Sequence, residues 1–246
     1  MTPQVIITGN DLPVTVTKTM QQICLDLSIL DKTVLSVVGS SNTHYAIYYI
    51  GTKLIGFAAL RIGTIKLGGL SKFLIYLSPI VAKTGFDNAT LVDLTYLAIG
   101  KKYWSKLIVG NALFWTDAFS PTAYACFAKN LKNVYPTYRK PTPWQMEELL
   151  LYIGQAYYPT TFHIRTGTVQ ASTFYPTPRK ETENGWKEAD ADIQFFKATN
   201  PKYYKGFGLL TIAPLTFGNW FYLWKKTYWK VEKSPPKELY EEMVLC

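Results

Sequence analysis

The sequence predicts an α/β (α+β) fold, and three observations predict it. Two strand-like runs, Tyr45–Ile50 and Leu54–Gly63, are separated only by Gly51-Thr52-Lys53, the signature of a hairpin. Apolar residues recur at helical spacing elsewhere, as in Met20, Ile23, Cys24 and Leu27, and again in Met146, Leu149, Leu150 and Ile153. The 246 residues are 48% hydrophobic and 17% charged, against about 25% charged in an average soluble domain, so the chain builds a core and is not disordered. That length is one large domain or two small ones.

The elements follow in order. A first helix is expected over Val16–Leu30, after a Ser/Thr/Asp-type start. The hairpin comes next, then a variable connection, Thr64–Ala89, that holds a short strand at Phe73–Leu77. Leu91–Ile99 reads as a nine-residue strand ending at Gly100, followed by Lys101, Lys102 and an apolar helix. Asn111–Phe119 is either a second strand or the end of that helix, since periodicity does not decide. Ser120-Pro121 reads as N-cap and first residue of a helix through Lys132, before strand-like Val134–Tyr138. Beyond Arg139–Pro143 a helix is expected over Trp144–Tyr157, a strand over Phe162–Ser172, a Pro-rich charged loop over Tyr175–Asp190 and a short helix over Ala191–Ala198. The uncharged run Gly206–Trp224 is long enough to span a bilayer, but Gly208, Pro214, Gly218 and Asn219 interrupt it; a buried strand plus helix is the reading preferred to a membrane helix. The tail from Lys233 reads as a short acidic helix after Pro235-Pro236.

Charge and motifs narrow the function. The net charge of +9 comes from 22 Lys and 4 Arg, which fits attraction to a polyanion or a plain solvated surface more than bidentate reading of bases. Cys24, Cys126 and Cys246 form no CxxC pair, and reduced thiols point to a cytoplasmic setting; Met1–Asn10 lacks the features of a signal peptide. His44 and His163 have no metal-ligand spacing around them, so no metal cofactor is expected. Neither GxxxxGK[ST], GxGxxG nor GxSxG occurs, which leaves nucleotide hydrolysis, a Rossmann cofactor and a nucleophile elbow without support.

The order helix, hairpin, long strand, turn and helix, then strand, helix and strand over about residues 12–140 resembles the GNAT N-acyltransferase superfamily. The resemblance implies a mostly antiparallel central sheet flanked by helices, with a C-terminal α+β extension. It also implies an acyl-CoA cosubstrate, acetyl-CoA or longer, and an amine acceptor. In that family the fourth strand splays from its neighbour and pairs with the pantetheine arm, and the turn after it cradles the pyrophosphate at a helix N-terminus. Leu91–Ile99 is matched to that strand, which makes Leu97, Ala98 and Ile99 pantetheine contacts and Lys101, Lys102, Ser105 and Lys106 phosphate contacts. The family turn, Arg or Gln, two residues, Gly, one residue, Gly or Ala, is degenerate over Tyr103–Gly110, where Ser105, Leu107 and Val109 replace small residues.

Asp93 falls where many members of the family carry a glutamate base, and on a strand it would share a face with Thr95 and Leu97. The other reading is a buried Asp held by the backbone or a Lys. The position matched to the family's proton-donating tyrosine is Phe127, and Tyr124, one turn earlier, is either its substitute or a core ring with a surface hydroxyl. Cys126 has no neighbouring His and reads as a small core residue.

In the C-terminal part, Lys202–Lys205 and Trp220–Lys230 interleave rings with cations. Such segments pack as core with lysine stems over ring edges, lie at a membrane interface, or stack on single-stranded nucleic acid. The sequence thus points to residues 1–140 as an acyl-CoA-binding core and 141–246 as an aromatic-rich extension packed on it. The expected activity is acyl transfer from acyl-CoA to an amine. The alternative is a non-catalytic binding protein on the same scaffold, using its basic aromatic surface for a lipid membrane, RNA or protein partner.

Overall fold

A computed structural model describes residues 3–27, 42–78, 80–86, 88–108, 111–170, 190–222 and 224–225. Over these residues the protein is mixed α/β, with one nine-stranded sheet that is antiparallel except at one pair. In chain order the elements are β1 (Gln4–Gly9), α1 (Val14–Asp26), β2 (His44–Ile50), β3 (Lys53–Leu67), β4 (Leu70–Leu77), β5 (Val81–Ala82), α2 (Asn88–Lys102) and α3 (Trp104–Ile108). These are followed by β6 (Ala112–Ala118), α4 (Pro121–Asn130), α5 (Trp144–Tyr157), β7 (Phe162–His163), β8 (Thr168–Gln170), α6 (Ala191–Thr199) and β9 (Phe207–Pro214). The strand order is β1-β2-β3-β4-β6-β9-β8-β7, with β5 on the β3 edge.

Turn chemistry sets the two hairpins. Gly51 takes φ +57° between β2 and β3, and Gly68 and Gly69 take +55° and +79° between β3 and β4. Two successive positive φ values suit a two-residue loop whose twist matches the strands, and only glycine adopts them at no steric cost. The sheet is buried on both faces. Leu91, Tyr96 and Ile99 of α2, Tyr124 and Phe127 of α4 and Phe196 of α6 pack on one face against Tyr48, Leu60, Ile75, Leu77 and Phe114. On the other face α1 places Met20, Ile23 and Cys24 against Tyr45, Ile47 and Phe57, and α5 places Leu149 and Ile153 against Tyr76, Trp115 and Ile212.

Most local expectations hold, with α5 residue for residue and α4 capped by Ser120 Oγ, which accepts from the Ala123 N–H. Leu91–Ile99 is the main correction: it lies within helix α2 and is not a strand. Leu91, Thr95 and Ile99, four apart, are buried along one line of that helix, and apolar residues fill both alternation parities, which a half-buried strand does not do. The tertiary cause is connectivity. β4 and β6 are parallel, and a parallel pair needs a crossover, which here is α2 and α3. Asn111–Phe119, left open by the sequence, is strand β6. Val134–Tyr138 forms only a bridge from Tyr135 to Ile212, and the strand expected from Phe162 is divided into β7 and β8 by a turn at Gly167, φ +61°, its last two residues lying outside the described ones.

Residues beyond Pro141 extend the same sheet: β9 pairs with β6 from Leu113↔Pro214 to Ala118↔Leu209. The uncharged run is β9 followed by a helical segment at 217–222, and among the described residues no helix is long and apolar enough to cross a membrane. The loop expected over Tyr175–Asp190, apart from Asp190, and the tail helix lie outside the described residues.

Candidate functional site

The sheet opens beside β4. Its pairing with β6 runs from Phe73↔Ala112 to Tyr76↔Trp115 and stops there among the described residues; one side-chain bond, Thr116 Oγ1 to the Leu77 carbonyl at 3.5 Å, lies just beyond. From that point the described residues keep bonding to β3. The Ser78 N–H donates to the Ala59 carbonyl (3.0 Å), the Ala59 N–H donates to Ser78 Oγ (2.9 Å), and β5 pairs Val81↔Phe57 and Ala82↔Gly56. Between Leu60↔Leu77 and Phe57↔Val81 the register against β3 shifts by one residue. Over the same stretch Thr116–Ala118 of β6 are held by β9 on the opposite edge. The two parallel strands therefore diverge, each held by its outer neighbour.

Asp117 stands at the divergence. Its side chain is on the face covered by α5, with those of Trp115 and Tyr76. The Tyr76 hydroxyl donates to Oδ1 at 2.7 Å and the Tyr158 hydroxyl to Oδ2 at 2.5 Å. Burial pushes the Asp117 carboxyl above its ordinary value, opposed by the two tyrosine hydrogen bonds and by the positive charge of Arg61. Arg61 lies over the Tyr76 ring, 4.8 Å from its centre, and its Nε donates to Asn42 Oδ1 at 3.4 Å. Tyr157 and Tyr158 close the other side, with ring centres 4.8 and 6.3 Å from Trp115. The buried Trp115 Nε1–H has no hydrogen-bond acceptor among the described residues. A buried donor left so costs about 1–3 kcal/mol unless a water or ligand meets it.

After β5 comes a turn at Thr84-Gly85, with Gly85 at φ +93° and open space where a Cβ would project. α2 begins three residues later, with no acidic side chain in its first turn. The dipole of a helix N-terminus favours anions. A register shift against β3, the glycine turn at Gly85 and the N-terminal end of α2 thus follow one another in the chain.

The residues singled out from sequence lie elsewhere. Asp93, Leu97, Ala98 and Ile99 are on α2, where backbone groups are spent on helix hydrogen bonds and cannot pair with a pantetheine arm. Asp93 is buried, and its charge helps raise the Tyr96 hydroxyl, for which burial is the main cause. Lys101 and Lys102 end α2 and Ser105 and Lys106 lie on α3, so none is at the N-terminus of the long helix; Lys102 Nζ donates to the Ile7 carbonyl at 2.7 Å. Tyr124 is a core residue: its ring packs against Phe195 and Phe196, and its hydroxyl donates to the Pro136 carbonyl at 2.8 Å. Burial first, and the charge of Asp192 second, push that hydroxyl far above its ordinary value. Sequence reasoning missed Asp117, Tyr76, Tyr158 and Gly85. The one available signal was Asp117 as a lone carboxylate in an apolar strand.

An open groove of about 490 Å³, lined by Phe162, His163, Arg165, Lys202 and Phe207 among others, lies at the β7–β8 turn and includes none of these residues.

No protein-family model and no curated protein matches the chain. Among solved structures it is similar to a conserved Enterococcus faecalis protein described as a probable N-acyltransferase, with 10% identity over 50% of this chain and 31% of that one and a TM-score of 0.34. It is also similar to an acyl-CoA N-acyltransferase from Pseudomonas aeruginosa, with 12% identity, 55% and 91% coverage and a TM-score of 0.37. A third is Arabidopsis thaliana Naa50 in complex with a CoA-containing bisubstrate analogue, with 11% identity, 56% and 91% coverage and a TM-score of 0.35. The chain spans less than a third of the Enterococcus faecalis protein but most of the other two.

Proposed function

We propose that the chain transfers an acyl group from acyl-CoA to an amine in the opening between β4 and β6. The observation that carries this reading is the parting of the two strands after Tyr76↔Trp115 with the buried carboxylate of Asp117 at the point of divergence. In this reading the edge of β4 that faces β6, where the ladder ends at Tyr76↔Trp115, receives the pantetheine arm. Gly85 and the first turn of α2 receive the pyrophosphate. The turn keeps one glycine of the family spacing, at Gly85, with Ala82 and Asp87 where the pattern has Arg or Gln and a second small residue.

The amine nitrogen attacks the thioester carbonyl carbon, the C–S bond breaks, and the CoA sulfur leaves as thiolate. Asp117 accepts the proton that the amine gives up, directly or through water. Its raised proton affinity suits that task better than an exposed carboxylate would. Tyr76 and Tyr158 fix the carboxylate, and because a carboxylate has about four acceptor positions, their two bonds leave capacity for the amine. Trp115, Tyr157 and Tyr158 give the acceptor side aromatic walls. The reaction is tested by following free CoA thiol with acetyl-CoA and a panel of primary amines, including a polyamine, an aminoglycoside and a peptide N-terminus. Amine-dependent thiol release that Asp117→Asn abolishes supports the reading.

A non-catalytic binding protein on this scaffold is the second reading. It is favoured by Phe127, which has no hydroxyl to protonate a leaving thiolate, and by the engagement of the Tyr124 hydroxyl with Pro136. Binding of acetyl-CoA without thiol release for any amine would favour it.

A further inference from the structure

The helical segment at 217–222 turns aromatic side chains to solvent while its inner side is firmly attached. Asn219 is fully buried; its Nδ2 donates to the carbonyls of Pro214 (2.6 Å) and Asn133 (3.3 Å), and its Oδ1 accepts from the Asn133 N–H (2.9 Å). Trp220 packs edge-on to Trp104 with centres 4.7 Å apart. It closes onto α2 at Gly100, where a Cβ would lie 2.5 Å from its Nε1, so only glycine admits the indole there.

With Asn219 and Trp220 held inward, Phe217 and Phe221, four residues apart, face out and are 75% and 47% exposed. Their rings are 6.4 Å apart and within 17° of parallel, and the ring of Trp224 follows 6.0 Å beyond Phe221. Trp104, 42% exposed, continues this surface onto α3. Lys101 and Lys106, next in the chain to Gly100 and close to Trp104, and Lys225, next to Trp224, are exposed. No Asp or Glu occurs between Asp93 and Asp117, or between Asp192 and Glu232, so neither segment brings a carboxylate to this face.

We propose that this face docks the protein on the surface of an anionic lipid membrane, with the rings at headgroup depth and the lysines toward the anionic headgroups. Rings in a row along one helical side, with cations flanking them, match the interfacial arrangement, in which apolar side chains enter the acyl boundary and lysines meet anionic lipid. Stacking on nucleic acid instead interleaves rings with the cations that follow the phosphates. Phe217 and Phe221, the outermost rings, have no polar edge and no cation between them. This inference is independent of the proposed acyl transfer.

The test is sedimentation of the full chain with vesicles of phosphatidylcholine alone and of phosphatidylcholine with about 30% phosphatidylserine. The expected result is at least about tenfold stronger partition onto the anionic vesicles, weakening with salt. Phe217→Ser with Phe221→Ser is expected to lower that partition by about tenfold with an unchanged melting temperature. Lys106→Glu with Lys225→Glu, which leaves the rings in place, is expected to abolish the preference for anionic vesicles and decides the matter if the first variant misfolds. Equal partition onto both vesicles, wild-type partition of both double variants, or binding of poly-uridylate with none to vesicles would overturn the proposal.

Discussion

The Tyr158 hydroxyl, one residue past the end of α5, donates a 2.5 Å hydrogen bond to Asp117 on β6. The bond joins the C-terminal portion of the chain to the strand that borders the opening, so the extension helps complete the candidate site. Tyr76 on β4 holds the other carboxylate oxygen, so Asp117 is held from the neighbouring strand and from the end of α5.

Asp117→Asn is the first consequence. If Asp117 is the base, amine-dependent thiol release falls by about 10²-fold or more. Activity of the wild type is lost as pH falls through the raised carboxyl value, because the protonated form accepts nothing. Stability runs the other way. The folded carboxyl binds its proton more tightly than the unfolded one, near pH 3.9, so ionisation lowers stability as pH rises through the folded value. The Asn variant is expected to melt higher than the wild type at pH 8 and to converge with it below about pH 4. Thermal melts across pH check this.

Tyr158→Phe removes a hydrogen bond to the ionised carboxylate, which disfavours the charged form. The acid limb of the pH–rate profile is expected to move upward, with kcat at its plateau reduced less than in Asp117→Asn. An unmoved limb would separate Tyr158 from the base.

How far the sequence reached can be read at particular residues. The hairpin at Gly51, the cap at Ser120 and the stripe on α5 were legible because each depends on neighbours within a few positions. Leu91–Ile99 was not, since whether an apolar run becomes a helix depends on β4 and β6 lying parallel, a fact of pairing between distant segments. That single reversal put Leu97, Ala98 and Ile99 on a helix and Lys101 and Lys102 at its C-terminal end. Asp117 was hidden for a related reason: its partners, Tyr76 and Tyr158, each lie 41 positions away.

Gly56→Ala tests the anchoring of β5 on β3. An added Cβ would lie 2.6 Å from the Val81 carbonyl oxygen and 2.8 Å from the Ala82 Cα, both backbone atoms that cannot rotate aside. Displacement of β5 from β3 is expected to cost about 1–3 kcal/mol in chemical denaturation.

Asn219→Ala would leave the Asn133 N–H and the Pro214 carbonyl, both met by its amide, without those bonds. A loss of about 1–3 kcal/mol in chemical denaturation is expected. Phe217→Ser on the same segment is expected to stay within about 0.5 kcal/mol of the wild type, as surface substitutions usually do.

The most direct measurement is calorimetric titration of the chain with acetyl-CoA, alongside Gly85→Asp. The expected result is one molecule bound per chain with a Kd between about 1 μM and 1 mM. Gly85→Asp, which brings a carboxylate and a strained φ to the turn before α2, is expected to weaken binding at least about tenfold. No binding at millimolar acetyl-CoA, or equal binding by the variant, would contradict the assignment of the β4–β6 opening and its glycine turn to the thioester.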